Sequence, residues 1–217
     1  MGAETVSIDP ANPSQKLMRK GAEVIKAGGL VAYPTETFYA LGANALSERA
    51  VEKVYRVKGR SFHKALTIII DREESLGSLV VKVPPEAEKI IARFWPGPLT
   101  IILQASPDVP ATLTAGSGKV GVRISSSAFA TALVSAAGCP LTATSANPSG
   151  LDGFTRAEDV SFHLRDKVDL ILNCGETPGG PPSSILDMTT SPPLIIRAGA
   201  VSREMLEECL QLRIKEA

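Results

Sequence analysis

The basic run KGRSFHK at 58–64 sets Lys58, Arg60 and Lys64 just past the end of a helical pattern. An arginine fork beside lysine point charges can grip a polyphosphate. The same composition also fits a solvated basic helix end. Three further segments are polar and lie beside apolar runs. YPTETFYALG at 33–42 offers the hydroxyls of Thr35 and Thr37 beside Glu36. TATSANPSG at 142–150 offers Ser145, Asn147 and Ser149, suited to phosphate or ribose or to capping their own turn. SSILD at 183–187 and IIRAG at 195–199 place Ser183, Ser184 and Arg197 at strand edges. Arg123 stands inside the apolar run VGVRI and needs an anionic partner there, either a ligand carboxylate or an internal ion pair.

Some motifs fail on context. GSGKVG at 116–121 matches a dinucleotide-binding glycine pattern, but it precedes a strand-like run where a strand-to-helix turn is required. As a P-loop it lacks the first glycine and the magnesium-binding hydroxyl. Ser145 lacks a nucleophile elbow. Both Asn-Pro-Ser sequences, at 12 and 147, are barred as glycosylation acceptors by proline. Cys139, Cys174 and Cys209 are far apart, and only two histidines are present, so neither a zinc site nor a disulfide framework is expected, and no protein metal site.

Helical and strand-like segments alternate around these residues. Ser14 can cap a helix stopped by Gly28 and Gly29, and Ser47 a second that ends at the basic run. LTIII at 66–70, LTIIL at 99–103, VGVRI at 120–124 and PLTAT at 140–144 read as strands. Ser202 can cap a last helix through about Arg213. This alternation predicts one α/β domain over 1–217, an open twisted mixed sheet flanked by helices, with its core at about 14–200 and a C-terminal helix at about 202–215. Ligands of such sheets bind beyond the strand ends, where the polar loops fall.

Lys plus Arg and Asp plus Glu both count 23, and this zero net charge disfavours tight, sequence-independent nucleic-acid binding. No run is long and apolar enough to span a membrane, and no apolar signal core opens the chain, so the expectation is a cytoplasmic protein.

In order and spacing, PTETFYALG, KGR, WPGPLT, VGVR, SANPSG, PSSILD and RAG resemble the YrdC-like family of threonylcarbamoyl-adenylate synthases, from about Gly28 to Gly199. The resemblance implies a nucleotidyltransferase that joins L-threonine, bicarbonate and ATP into threonylcarbamoyl-AMP and pyrophosphate, with magnesium accompanying ATP. Downstream transfer proteins would then carry the group to adenosine 37 of tRNA. It implies that Lys58 and Arg60 meet the ATP phosphates and carry catalysis. Lys64, Ser145, Asn147 and Arg197 would also contact ATP. Thr37, Arg123, Ala143 and Ser183 would hold threonine, Arg123 through the carboxylate. WPGPLT reads as structural. Departures from the family pattern are Ala40 for glycine, Ser61 for proline, Ile69 for a threonine-contacting histidine, Lys119 for threonine and Ser184 for threonine. The alternatives are a double-stranded RNA-binding module of the same fold, with weak RNA binding at the basic run, and a paralogue that adenylates another substrate.

Overall fold

A computed structural model describes residues 2–9 and 14–216, which leaves Asn12 and Pro13 of the first Asn-Pro-Ser sequence outside the described residues. In chain order the elements are β1 (Glu4–Ser7), α1 (Gln15–Lys26), β2 (Val31–Pro34), β3 (Tyr39–Gly42), α2 (Glu48–Lys58) and β4 (Thr67–Ile70). After a 3-10 turn at Glu73–Ser78 come α3 (Pro85–Phe94), β5 (Leu99–Gln104), the short α4 (Ala111–Thr114), β6 (Lys119–Ile124) and α5 (Ala128–Ala137). The chain continues through β7 (Leu141–Thr142), β8 (Thr144–Ser145), α6 (Ala157–Leu164), β9 (Leu170–Asn173), β10 (Ser184–Asp187), β11 (Leu194–Arg197), α7 (Arg203–Leu210) and β12 (Lys215–Glu216).

The mixed α/β architecture follows the sequence reading, with its strands divided between two sheets. Five strands pair in the order β1-β9-β2-β3-β8, and seven in the order β12-β11-β10-β5-β6-β4-β7. Both sheets mix parallel pairs (β2 with β9, β4 with β6) and antiparallel pairs (β2 with β3, β5 with β6). One apolar core joins the sheets to the helices, uniting Leu41, Val54, Ile68, Ile101, Val122 and Leu206. A second cluster packs α1 and α5 on the other side, around Met18, Tyr33, Ile69 and Leu133.

The sheets meet where PLTAT was expected to be one strand. It is instead two two-residue strands: β7 pairs with β4 in the larger sheet and β8 with β3 in the smaller. Ala143 lies between them, its N–H bonded to the Thr67 carbonyl (2.9 Å). The buried Thr142 hydroxyl stitches the crossing, donating to the Leu41 carbonyl (2.8 Å) and accepting from the Ala43 N–H (3.0 Å). Threonine satisfies both backbone groups where the ladders change partners.

Helix ends follow the sequence signals unevenly. Ser47 accepts from the Ala50 N–H, and Gly59 closes α2 in the left-handed conformation (φ 58°), a shape glycine adopts without penalty. Ser14 occupies the cap position of α1 without a side-chain cap bond. The final helix stops at Leu210, short of the expected Arg213. Gln211 turns left-handed (φ 55°), and the Glu207 carboxylate accepts the Ile214 N–H at 2.9 Å. Burial of Ile214 then draws the chain back to pair β12 with β11.

Candidate active site

A cleft of about 850 Å³ opens between the two sheets, and it draws its walls from segments spread from Thr35 to Arg197. Of the residues singled out from sequence, Thr37, Arg60, Arg123, Ala143, Ser145, Ser183 and Arg197 line it. Lys58, Lys64 and Asn147 lie outside that lining.

The turn between β2 and β3 presents Thr37. Thr35 fixes it, with its hydroxyl donating to the Phe38 carbonyl (2.7 Å) and accepting from the Thr37 N–H (3.2 Å). The Thr37 carbonyl is held by the Gly179 N–H and the Thr177 hydroxyl, both at 2.8 Å. The threonine-rich turn thus satisfies its own backbone, and Thr37 lines the cleft with its hydroxyl 3.3 Å from Thr35 Oγ1, in a hydrogen bond either could donate.

Past α2, the Arg60 guanidinium donates to the carbonyls of Lys64 (3.1 Å) and Ala65 (2.9 Å), which pins it at the cleft wall. Lys64 contributes that carbonyl while its own side chain is exposed. Lys58 is buried at 4% exposure. Its ammonium donates to the Ser145 carbonyl, the Asn147 carbonyl (2.7 Å) and Asn147 Oδ1 (3.2 Å). Those bonds use the three donors of an ammonium. Burial, with a smaller push from Arg60, lowers the Lys58 pKa to about 8. Asn147 in turn donates to the Pro148 (3.1 Å) and Leu151 (2.5 Å) carbonyls. Lys58 and Asn147 therefore form the strut under the SANPSG loop, and Ser145 is the member of that loop at the cleft surface.

Arg123 projects from β6 into the cleft and pairs with Glu36, which also accepts from the Ser125 hydroxyl. The contact recorded uses one guanidinium nitrogen, Nη1, so the rest of the fork remains available to a ligand. Burial and the charge of Arg197 push the Arg123 pKa down to about 10, which leaves it a cation at neutral pH. At the opposite wall, Arg197 donates to the Ser183 carbonyl and to Ser183 Oγ, both at 2.9 Å. Its pKa is lowered by burial and then by Arg60. Arg197 thus stands in repulsion with Arg123 on one side and with Arg60 on the other. A polyanion seated among them would relieve that repulsion.

Sequence reasoning missed three features of the site. Glu36 was read as a neighbour of two threonines, whereas it is the half-buried partner of the buried Arg123. Its signal was the need of a buried arginine for a carboxylate. Lys119 lines the cleft and pairs with Asp187 at 3.0 Å, a contact across 68 residues that no local pattern reveals. Thr100, the last residue of WPGPLT, also lines the cleft. The start of that motif behaves as a structural turn, with the Trp95 indole donating to the Leu99 carbonyl at 2.7 Å.

Known proteins resemble this chain in sequence and in fold. The family model Sua5/YciO/YrdC, described as "Telomere recombination", matches residues 23–199. Threonylcarbamoyl-AMP synthase of Pyrococcus abyssi is 40% identical over 201 residues, which is 92% of this chain and 59% of that protein. The Bacillus subtilis threonylcarbamoyl-AMP synthase is 35% identical over 200 residues, 92% of this chain and 58% of the relative. The crystal structure of P. abyssi Sua5 complexed with L-threonine superposes with a TM-score of 0.93 at 38% identity, covering 98% of this chain and 62% of that one. The chain therefore spans about three fifths of the length of these relatives. With the family profile covering most of its length and the cleft built from the same ordered segments, this chain belongs to the Sua5/YciO/YrdC family.

Proposed function

We propose that this chain condenses L-threonine, bicarbonate and ATP into threonylcarbamoyl-AMP and pyrophosphate, the activated donor for modification of adenosine 37 in tRNA. The observation that carries the reading is the convergence of Thr37, Arg60, Arg123, Ser145, Ser183 and Arg197 on one cleft from six separate segments. A cationic end, at Arg60 and Arg197, suits a triphosphate. A buried arginine with an open edge, at Arg123, suits a carboxylate. Its P. abyssi relative carries L-threonine in its crystal structure, which supports the same amino acid here.

The chemistry balances without a nucleophilic side chain. The amine of threonine attacks the carbon of bicarbonate, and water leaves as the carbamate forms. A carbamate oxygen then attacks the α-phosphorus of ATP, the bond to the bridging oxygen breaks, and pyrophosphate departs. Negative charge grows on phosphate oxygens, so fixed cations supply the main stabilisation. Arg60 and Arg197 are placed to do so, held to backbone carbonyls and Ser183 and so needing little reorganisation. Lys58 contributes through the Ser145–Asn147 loop it holds, adding its charge from below. Arg123 would fix the amino acid by its carboxylate, and Ala143 would pack against its side chain.

Magnesium enters this scheme with ATP, where it supplies positive charge to the phosphates. Among the described residues no group of three or more His, Cys, Asp or Glu could hold an ion. Among those residues, no helix is long and apolar enough to cross a membrane.

The test is co-substrate dependence. Pyrophosphate release should require threonine and bicarbonate together, with a threonylcarbamoyl-adenylate mass appearing in step. Equal release with either omitted would identify a plain ATP hydrolase.

A further inference from the structure

Eleven polar or charged side chains are buried among the described residues. Ten of them have hydrogen-bond partners within the chain: Thr114 bonds the Ala111 carbonyl, Thr177 the Thr37 carbonyl and Ser184 the Val201 carbonyl, and the others are similarly engaged. Thr100 is the exception. It is 2% exposed, and among the described residues its hydroxyl has no partner. A buried hydroxyl without a partner is costly, so a position shaped only by packing would favour the isosteric valine.

The hydroxyl is not sealed away. Thr112 Oγ1 is the one side-chain atom among the described residues that is both enclosed and unpartnered. Thr100 Oγ1 is outside that class, and Thr100 lines the cleft. The pairing of β5 with β6 sets Ile101 opposite Val122. Strand alternation then puts Thr100 and Arg123, one residue further along each, side by side on the cleft face. A Cβ on Gly121 would lie 3.2 Å from the Thr100 methyl and 3.1 Å from the Thr67 methyl. The two methyls therefore close over the glycine and leave no room for a longer side chain between Arg123 and the rest of the floor.

We propose that Thr100 contacts substrate, donating its hydroxyl to the carboxylate that the open edge of Arg123 captures. This inference rests on the amino-acid site of the proposed function and adds a second donor to it. A hydroxyl donor and a guanidinium on adjacent strands hold one oxyanion from two directions. Neither can turn away, since both side chains are at least nine-tenths buried. The unpaired hydroxyl of the free chain is then the site's stored requirement for its ligand.

The experiment compares Thr100→Val and Thr100→Ser with the unchanged chain. Calorimetric titration with L-threonine and with ATP is set beside threonine-dependent pyrophosphate release and thermal melting. Thr100→Val should weaken threonine binding and raise its KM by about ten- to a hundredfold, the worth of a hydrogen bond to a charged group. ATP binding should hold steady, and Tm should stay level or rise. Thr100→Ser should keep threonine affinity within about threefold, because the donor remains. Unchanged threonine affinity in Thr100→Val would overturn the inference and leave the synthase reading standing. Threonine binding without product in the unchanged chain would sink the synthase reading, and the titrations would still decide Thr100. A chain that binds no threonine at all would remove both.

Discussion

At the scale of single residues, the site is a balance between cations kept for ligands and cations spent on structure. Arg60 sits on the ligand side, lining the cleft with its guanidinium braced by two carbonyls. Arg60→Ala should lower turnover by about a hundred- to a thousandfold, comparable to losing an oxyanion donor. Arg60→Lys should restore only part, since an ammonium keeps the charge and loses the fork. Arg56, paired with Glu52 at 2.8 Å on the exposed face of α2, is the control, and Arg56→Ala should change little. Melting curves for all three variants separate a folding defect from a catalytic one. Near-normal turnover in folded Arg60→Ala would remove the phosphate clamp from the site. Lys58 sits on the structural side and carries a pH signature. Its pKa falls from 10.5 to about 8, so between those values the unfolded chain binds a proton that the folded chain does not. Its contribution to stability therefore rises with pH across that window. Its charge beneath the phosphate end is lost as pH passes about 8. Affinity for ATP should thus decline as pH passes about 8, while this group's share of stability improves. A flat ATP KM from pH 7 to 9 would show that the Lys58 charge plays no part in nucleotide binding.

At the scale of elements, the short strands and their glycines decide whether the walls meet. Gly199, at the end of the RAG motif, runs against the β10 approach so closely that a Cβ would stand 2.2 Å from the Pro182 carbonyl oxygen and 2.8 Å from the Ser183 carbonyl carbon. Both are backbone atoms with no side chain to rotate away. Gly199→Ala should cost about 1–3 kcal/mol of stability, a Tm drop of several degrees, and should loosen the Arg197–Ser183 pair beside it. An unchanged melting point would mean that the two segments shift apart freely. Helices with an amphipathic stripe and a capping serine were legible in sequence, as at Ser47 and Ser202, because the signals are local. The Ala143 crossing was not. PLTAT has the composition of one strand, and only the partners on either side, β4 and β3, divide it. The strand Tyr39–Gly42 was similarly hidden, because its small and polar neighbours read as a loop until β2 and β8 flank it. Seven residues of the cleft were placed by the family resemblance, and Lys119 stood out only as a departure from its pattern, whereas Thr100 was read as part of a structural turn. Their bonds to Glu36, Asp187 and one another depend on contacts between distant segments.

At the scale of the whole molecule, charge decides between an adenylate-forming cleft and an RNA-docking face. The formal net charge is zero, so any attraction for a phosphate backbone must come from the basic stretch at 53–64. The structure spends most of that stretch internally. Lys53 donates to the Gly28 carbonyl at 2.6 Å, and Arg56 pairs with Glu52. Lys58 is buried under the SANPSG loop, and Arg60 is turned to the cleft. Lys64 is left as the exposed cation of the run at its far end. Each phosphate that a protein neutralises adds about 0.9 to the slope of log affinity against log salt. A basic stretch with so few free cations should show a slope of no more than about two, and association with duplex RNA that is weak at 50 mM salt and lost by 200 mM. Filter binding across that range, with and without saturating ATP, measures the slope and whether the cleft contributes to it. ATP should displace whatever portion Arg60 supplies and leave the Lys64 portion intact. A steep slope with tight binding would require a cationic surface that these internal bonds do not leave free, and the RNA-docking reading would then replace the cleft as the account of the basic run.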